Sequence, residues 1–560
     1  MKHYFWTICL LLLLIPGNTW SASPNFLIMD QLSNNVIMIG SDLKPLSTFK
    51  AGPGPSVLEP LPGDSGYALL CNGTKNLLGT VSATGELIYL DSSFKPTQHK
   101  ITFPGLIIQN YYFKAEATWI FVAQNKTANS LIRPTATVII VNLKNGTENH
   151  FSIDSIPTAY QFNADRSIFA FTVLSSNNKT APSQCILIDL HLQTMKSFQV
   201  SANPAGIYFI NDHQILVACA GFGNSSRYSS TIAMDHFDKP VTASLYWIDI
   251  TSGDEQISNL GYSPMVIIQD KKAKDTFYVA SPDNLDSKAP QSTFYLYCNG
   301  IKRSELKLPC DIVQLVPVKS GNICLYGRHD FYIIHIDNGK IVAHFRYDLS
   351  IDKLLLNSEQ NVGYVAAVNS NYIDKIDLTT GTLMFKFKIS SSLFGGMMGI
   401  SGLFPQKLPP VSGMILPVDD KTNFLSDNNR MLMTDDCNRL YTLASRGEVS
   451  GINLKNGLQV SSCKFIEGKP YGIHFTPDKK FVVVAADTIW YLLKPEQKKP
   501  IFSLPLPSGD GLPTTGYYSP DGNLLVIPSN GYFYFIDCQN CRLAGKLQTK
   551  VQKSVVTWLP

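Results

Sequence analysis

Apolar and polar positions alternate along this chain in short runs separated by turn residues, and one phrase shows the unit clearly. Val362 to Lys386 reads V-G-Y-V-A-A-V-N-S-N-Y-I-D-K-I-D-L-T-T-G-T-L-M-F-K. An apolar strand (Gly363 to Val368) is followed by a polar turn, a second strand (Tyr372 to Asp377), a Thr-Thr-Gly turn and a third strand. Period-two alternation bounded by Gly, Asn, Asp and Ser is the pattern of half-buried β-strands. Similar strand–turn–strand pairs recur at Met265–Ser281, Arg430–Ser445, Gly472–Asp487 and Gly516–Asn530. Looser versions lie at Val57–Asn72, Ile107–Asn125, Ala159–Ser175, Gly206–Gly221, Ile312–Arg328 and Lys353–Val368. Hairpins follow them, turning at Asn145-Gly146, Asn338-Gly339 and Asn456-Gly457, where Gly supplies the positive φ that tight turns need. No long amphipathic helix pattern occurs, so an all-β chain is expected.

Four short antiparallel strands per unit, repeated every ~40–50 residues, predict a β-propeller. One blade cannot bury both faces of its sheet, so blades must stack around an axis. The spacing predicts about eleven units, beyond the usual four to eight of one ring. Two packed propellers, spanning 22–327 and 328–560, are therefore the first expectation, and one large ring is the alternative. The ends favour closure. Tyr532–Asp537, Arg542–Gln548 and Ser554–Leu559 read as three strands of a final blade, and Phe26-Leu27-Ile28-Met29 reads as its missing outer strand. Such a latch would remove exposed sheet edges.

The first residues change the picture of where the chain resides. Lys2 and His3 precede an apolar run, Tyr4 to Ile15, which Pro16-Gly17 ends, and Thr19-Trp20-Ser21 places small residues where a signal peptidase reads. Residues 1–21 are expected to be a signal peptide, and the mature protein to be secreted or periplasmic. The run is too short to span a bilayer, and no later stretch is long and apolar enough to do so. The formal net charge of +4 is spread along the chain without a basic stripe, so nucleic acid is not an expected partner. Without Cys9 the cysteine count is even, which an oxidising compartment permits to pair. Cys538 and Cys541 (C-Q-N-C at a predicted hairpin turn) are a candidate disulfide; Arg542 stands where a c-type haem site needs His.

Tyr364-Val365-Ala366, Ile376-Asp377, Thr380-Gly381, Tyr278-Val279-Ala280-Ser281, Ile248-Asp249 and Ser519-Pro520-Asp521-Gly522 carry a resemblance. They resemble the YVTN-type propeller repeats of bacterial surface and periplasmic proteins, whose architecture is lactonase-like and amine-dehydrogenase-like. The resemblance implies the fold and leaves the function open, because such propellers include enzymes, enzyme subunits and binding scaffolds.

Loop length points to one working face. With strands a to d named from the axis outward, d–a links and b–c loops share one rim, and a–b and c–d turns share the other. The longer connections are Asn125–Pro134, Ser176–Ser183, Gly221–Pro240 and Ser281–Gln291, assigned as d–a links, and Ser390–Asn429, assigned as a b–c insertion. All fall on one rim, and long loops on a rigid scaffold are where function concentrates. Arg227, Tyr228, Asp235 and His236 in the first large insertion suit a polar ligand. Phe394, Met397, Met398 and Phe404 lie in the Gly-rich apolar run L-F-G-G-M-M-G-I-S-G-L-F, which suits a lid, a plug or an adhesive surface.

Catalytic and metal-binding motifs are scarce. Gly399-Ile400-Ser401-Gly402 fails the spacing of a nucleophile elbow, and no paired-His metal spacing occurs. His335 and His474 sit within strand patterns and read as structural, while Asp249, Asp377 and Asp537 recur as turn carboxylates. No catalytic residue, metal ligand or cofactor is assigned. The expected function is an exported, non-enzymatic β-propeller that binds a protein, glycan or surface ligand through the long-loop rim. The alternative is a periplasmic lactonase-like hydrolase or dehydrogenase component.

Overall fold

The computed structural model describes residues 26–559 apart from 77–79, 127–134, 175–182, 222–241, 263–264, 285–288, 313, 319–320, 337, 358, 368–369, 389–430, 445–446, 465–466, 469, 487, 495, 507–515, 530 and 550–553. Among these residues lie eleven four-stranded antiparallel sheets, one two-stranded hairpin and a single turn of 3₁₀ helix. In chain order the blades span 55–102, 105–153, 157–200, 204–259, 266–308, 314–346, 351–388, 431–464, 470–505 and 517–548 (blades 1 to 10). The eleventh joins the two ends of the chain.

Burial separates the strands of a blade by depth. In blade 2 the second strand, Thr118–Asn125, is buried on both faces, whereas the fourth, Thr147–Ile153, alternates exposed and covered residues and ends the sheet. The same exposed character marks the fourth strands Thr194–Val200, Thr382–Lys388 and Arg542–Gln548. First strands converge instead: Pro157–Phe162 approaches Pro204–Phe209, and Met431–Met433 approaches Pro470–Phe475. Pro opens the first strand at Pro55, Pro157, Pro204 and Pro470, where no earlier ladder bond is lost, and a bulge follows each one.

Apolar layers between blades settle the ring. Leu70 and Leu87 of blade 1 meet Trp119, Phe121 and Ile139 of blade 2, and equivalent clusters fill each later junction up to Val483, Trp490 and Leu492 of blade 9 against Leu525, Ile527 and Tyr534 of blade 10. Blade 10 then meets the terminal sheet through Val526, Phe533 and Phe535 against Phe26, Ile28 and Val556. Leu27, Met29 and Val36 on the other face meet Leu58, Leu69 and Ile88 of blade 1. The interfaces form a closed cycle, so the blades make one ring rather than two. Residues 327 and 328 lie between Asn322–Tyr326 and Asp330–His335, two hydrogen-bonded strands of the same blade.

The closing blade corrects one strand assignment. Its order is Pro45–Lys50, Asn35–Ile39, Phe26–Asp30 and Ser554–Trp558, so the C-terminus gives the innermost strand and the N-terminus gives the other three. Phe26–Asp30 is the second strand rather than the outer one. Every residue in it is buried, because blades 10 and 1 cover its two faces. Outer strands here are half polar, and an unbroken apolar run belongs deeper. Tyr532–Asp537 and Arg542–Gln548, read from the sequence as part of that blade, complete blade 10.

Phe26 is fully buried against the rings of Phe535 and Trp558, with centroids 5.8 Å and 4.8 Å away. Phe26→Ala is expected to cost about 3–5 kcal/mol, read as a lowered denaturant midpoint. Removing residues 554–560 should additionally expose the Phe26–Asp30 edge and admit protease within residues 26–50. A truncated chain that unfolds and resists protease like the full one would refute the latch.

Candidate functional site

The long connections do share one rim, although their strand assignments exchange. Segments 126–135, 174–182, 220–243 and 283–291 join second to third strands, whereas 389–430 links the outer strand of blade 7 to the inner strand of blade 8. Sequence reasoning had these two kinds reversed, since either hairpin of a blade shows the same alternation. Both kinds start and finish at the same end of the blade. Arg227, Tyr228, Asp235 and His236, like Phe394, Met397, Met398 and Phe404, lie outside the described residues.

The loops rise from clamped necks. Asn125 donates to the Thr135 hydroxyl at 3.1 Å and accepts from Thr137 at 2.9 Å. Asp283 accepts the Thr293 hydroxyl at 2.7–2.8 Å, Asn284 donates to the Ala289 carbonyl at 2.9 Å, and Asn203 donates to the Gly221 carbonyl at 3.2 Å. Blade 1 adds a feature the sequence did not reveal, a short hairpin of Thr74–Lys75 with Val81–Ala83 between its second and third strands. Its strands are too brief to register as period-two alternation.

The other rim is built of short turns, and several of its carboxylates are committed to them. Asp249 accepts the Thr251 and Ser252 N–H groups, Asp377 those of Thr379 and Thr380, and Asp537 that of Asn540, as the recurrence of these residues predicted. A second bracket recurs between first and second strands. Thr434, Thr476 and Ser519 donate their hydroxyls to Asp436, Asp478 and Asp521, two residues on, and accept the N–H of Arg439, Phe481 and Leu524. The bond from the Thr434 hydroxyl and the Asn438 N–H hold the Asp436 carboxyl down at about 2.

Between the turns of blades 8 and 9 this rim opens into a cleft of about 490 Å³. Five cationic side chains line it (Arg439, Lys455, Lys479, Lys480 and Lys494), against the carboxylates Asp436 and Glu496. Arg439 pairs with Glu496 at 2.8 Å, Lys480 with Asp478 at 3.2 Å, and Lys479 with Asp435. The floor carries Tyr441, which is 1% exposed. The sequence hid this group because its members come from four separate turns, and search by loop length passes over short turns.

Most cysteines of the described residues are buried. None of the ten within the described residues forms a disulfide, Cys538 and Cys541 included. Cys538 Sγ donates to the Ile536 carbonyl and Cys541 Sγ to that of Cys538. Burial pushes Cys71, Cys219, Cys324 and Cys538 up to about 12, far from the thiolate form. His474 is buried in the inner strand of blade 9. Among the described residues no three His, Cys, Asp or Glu side chains stand close enough to hold a metal ion. None of their helices is long and apolar enough to cross a membrane.

No protein-family model matches the chain, and no curated protein matches it. Among solved structures it is similar to the dihydro-heme d1 dehydrogenase NirN in complex with DHE, at 11% identity and a TM-score of 0.34, over 80% of this chain and 76% of that one. The fold here rests on strand pairing and the interblade layers.

One ionisable group at the loop rim yields a pH signature. Asp374, in the third strand of blade 7, is buried, and that burial raises its carboxyl despite Lys386 at 3.7 Å and the neighbouring Tyr347. A carboxyl with a raised folded pKa adds stability that is fully present below its unfolded value and is lost as pH rises through the folded value. Asp374→Asn removes that loss, so its melting temperature should fall less than that of the wild type between about pH 4 and about pH 7. Parallel pH profiles would rule the assignment out.

Proposed function

We propose that this protein is exported and acts as a non-enzymatic binding propeller, holding a protein, glycan or surface ligand on the rim where its long loops emerge. One observation carries the reading: the four long b–c loops and the 389–430 link leave the ring at the same end of their blades. Chain length concentrated on one face of a rigid ring supplies adaptable contacts, and the ring itself supplies the positioning. The Asn125, Asn203 and Asp283 clamps fix where three of these loops begin, which lowers the ordering cost of binding. Export rests on the N-terminal apolar run and the small residues after it.

The test replaces 222–241 and 389–430 by short Gly-Ser linkers, separately and together. Wild type and variants are applied to a printed glycan array and to intact cells. Wild type is expected to bind, and the double replacement to lose binding with its melting temperature retained. Binding that survives both replacements, or no binding by the wild type, would count against the rim. Purified protein that hydrolyses lactones or oxidises amines would count for an enzyme instead. Export has its own check: the mature protein recovered outside the cytoplasm should begin at Ala22, and one that keeps Met1 would exclude the cleavage.

A further inference from the structure

The cleft between blades 8 and 9 opens on the rim opposite the long loops, and the charges around it are unevenly matched. We propose that it is a binding site for a small ligand carrying one phosphate or sulfate ester on a hydroxylated body.

Positive charge exceeds what the protein neutralises. Of the five cations, Arg439, Lys479 and Lys480 have carboxylate partners. Lys455 and Lys494 have no carboxylate within ion-pair distance among the described residues. Asp436 lines the cleft but is occupied, since it accepts from the Thr434 hydroxyl and from the Asn438 N–H and side-chain amide. Lys455 comes from the turn after the third strand of blade 8, and Lys494 follows the third strand of blade 9, so the two side chains line the cleft from different blades. A tetrahedral oxyanion bound in the cleft would take charge-assisted hydrogen bonds from such ammonium groups.

The remaining walls suit hydroxyl groups. Asn453 uses its carbonyl oxygen on the Lys455 N–H at 2.8 Å, which leaves its amide hydrogens as donors to the cleft. Glu496, paired with Arg439, offers an acceptor, and the buried Tyr441 completes the lining. Volume argues against a bare ion. At about 490 Å³ this open cleft has more room than phosphate alone would fill. Asp435, Asp436 and Glu496 at the same turns oppose a polyanionic chain, so one esterified group fits better than many.

Isothermal titration of the purified protein with glucose 6-phosphate, glucose 6-sulfate, inorganic phosphate, inorganic sulfate and glucose tests this. The two esters should bind more tightly than the inorganic anions, glucose should not bind, and affinity should fall as NaCl is raised. Lys455→Ala with Lys494→Ala should weaken ester binding by about tenfold or more. Both side chains are exposed, so the melting temperature should hold, and Lys95→Ala on blade 1 should bind like wild type. Absence of ester binding at millimolar concentration would overturn the proposal, as would equal affinity in the double variant. The linker replacements on the loop rim should leave ester binding unchanged, so failure here and failure of the loop-rim reading are told apart.

Discussion

Each blade of this protein has two apolar faces and almost no means of hiding them alone. The second strands show the problem most clearly: Thr118–Asn125 and Ile168–Val173 are buried almost end to end, on residues that point alternately to one neighbour and to the other. A sheet covered on both faces needs two neighbours, so any open stack would leave two faces wet. Closing the stack is the solution that leaves none, and the last junctions decide whether it succeeds. Phe26 and Ile28 serve one of them while Leu27 and Met29 serve the other, which makes a five-residue strand the keystone of a ring built from eleven sheets. Dividing a full turn among eleven blades rotates each by roughly 33°, less than in a four- to eight-bladed ring, so neighbouring sheets lie closer to parallel. Side-chain sizes then need to taper less toward the axis.

The outer wall obeys the same constraint by a different route. Gly381, at φ +70°, sits where an added Cβ would lie 2.4 Å from the Ala343 Cβ of the preceding blade. Gly457, at φ +72°, sits where one would lie 2.5 Å from the Phe385 ring. These glycines answer two demands together, a positive φ in the turn and a close approach of that turn to the neighbouring outer strand. The turns that recur so regularly in the sequence are therefore interblade contacts as well as chain reversals.

That double role explains which parts of the molecule could be read from residues alone. Strands and turns repeat because every blade faces the same packing problem, so the alternation in Gly363–Asp377 and the carboxylate of Asp377 have counterparts all along the chain. Depth within a blade was harder to read. Phe26–Met29 looked like an edge strand because it stood at the end of the chain, yet its unbroken apolar run already marked it as covered on both faces. Ring number was illegible, since junctions within one ring and junctions between two rings would use the same residue types. The cleft at blades 8 and 9 was the least visible, because Arg439, Lys455, Lys479 and Lys494 are neighbours only after two blades have been set side by side.

The two rims also differ in what a substitution there can cost. On the short-turn rim, carboxylates such as Asp436 and Asp521 hold the turns that join first and second strands, and a change there reaches the packing of the blade. On the other rim a loop hangs from a neck already closed by side-chain bonds such as Asn125 with Thr137. Lengthening such a loop adds only logarithmically to its closure entropy, about 0.6 kcal/mol for each doubling. Long, varied insertions can therefore accumulate at that end without unsettling the ring, whereas a site among the short turns must be assembled from charges added to turns that already have a structural duty. Lys455 and Lys494 stand at such turns, between the third and fourth strands of blades 8 and 9, and neither forms an ion pair among the described residues.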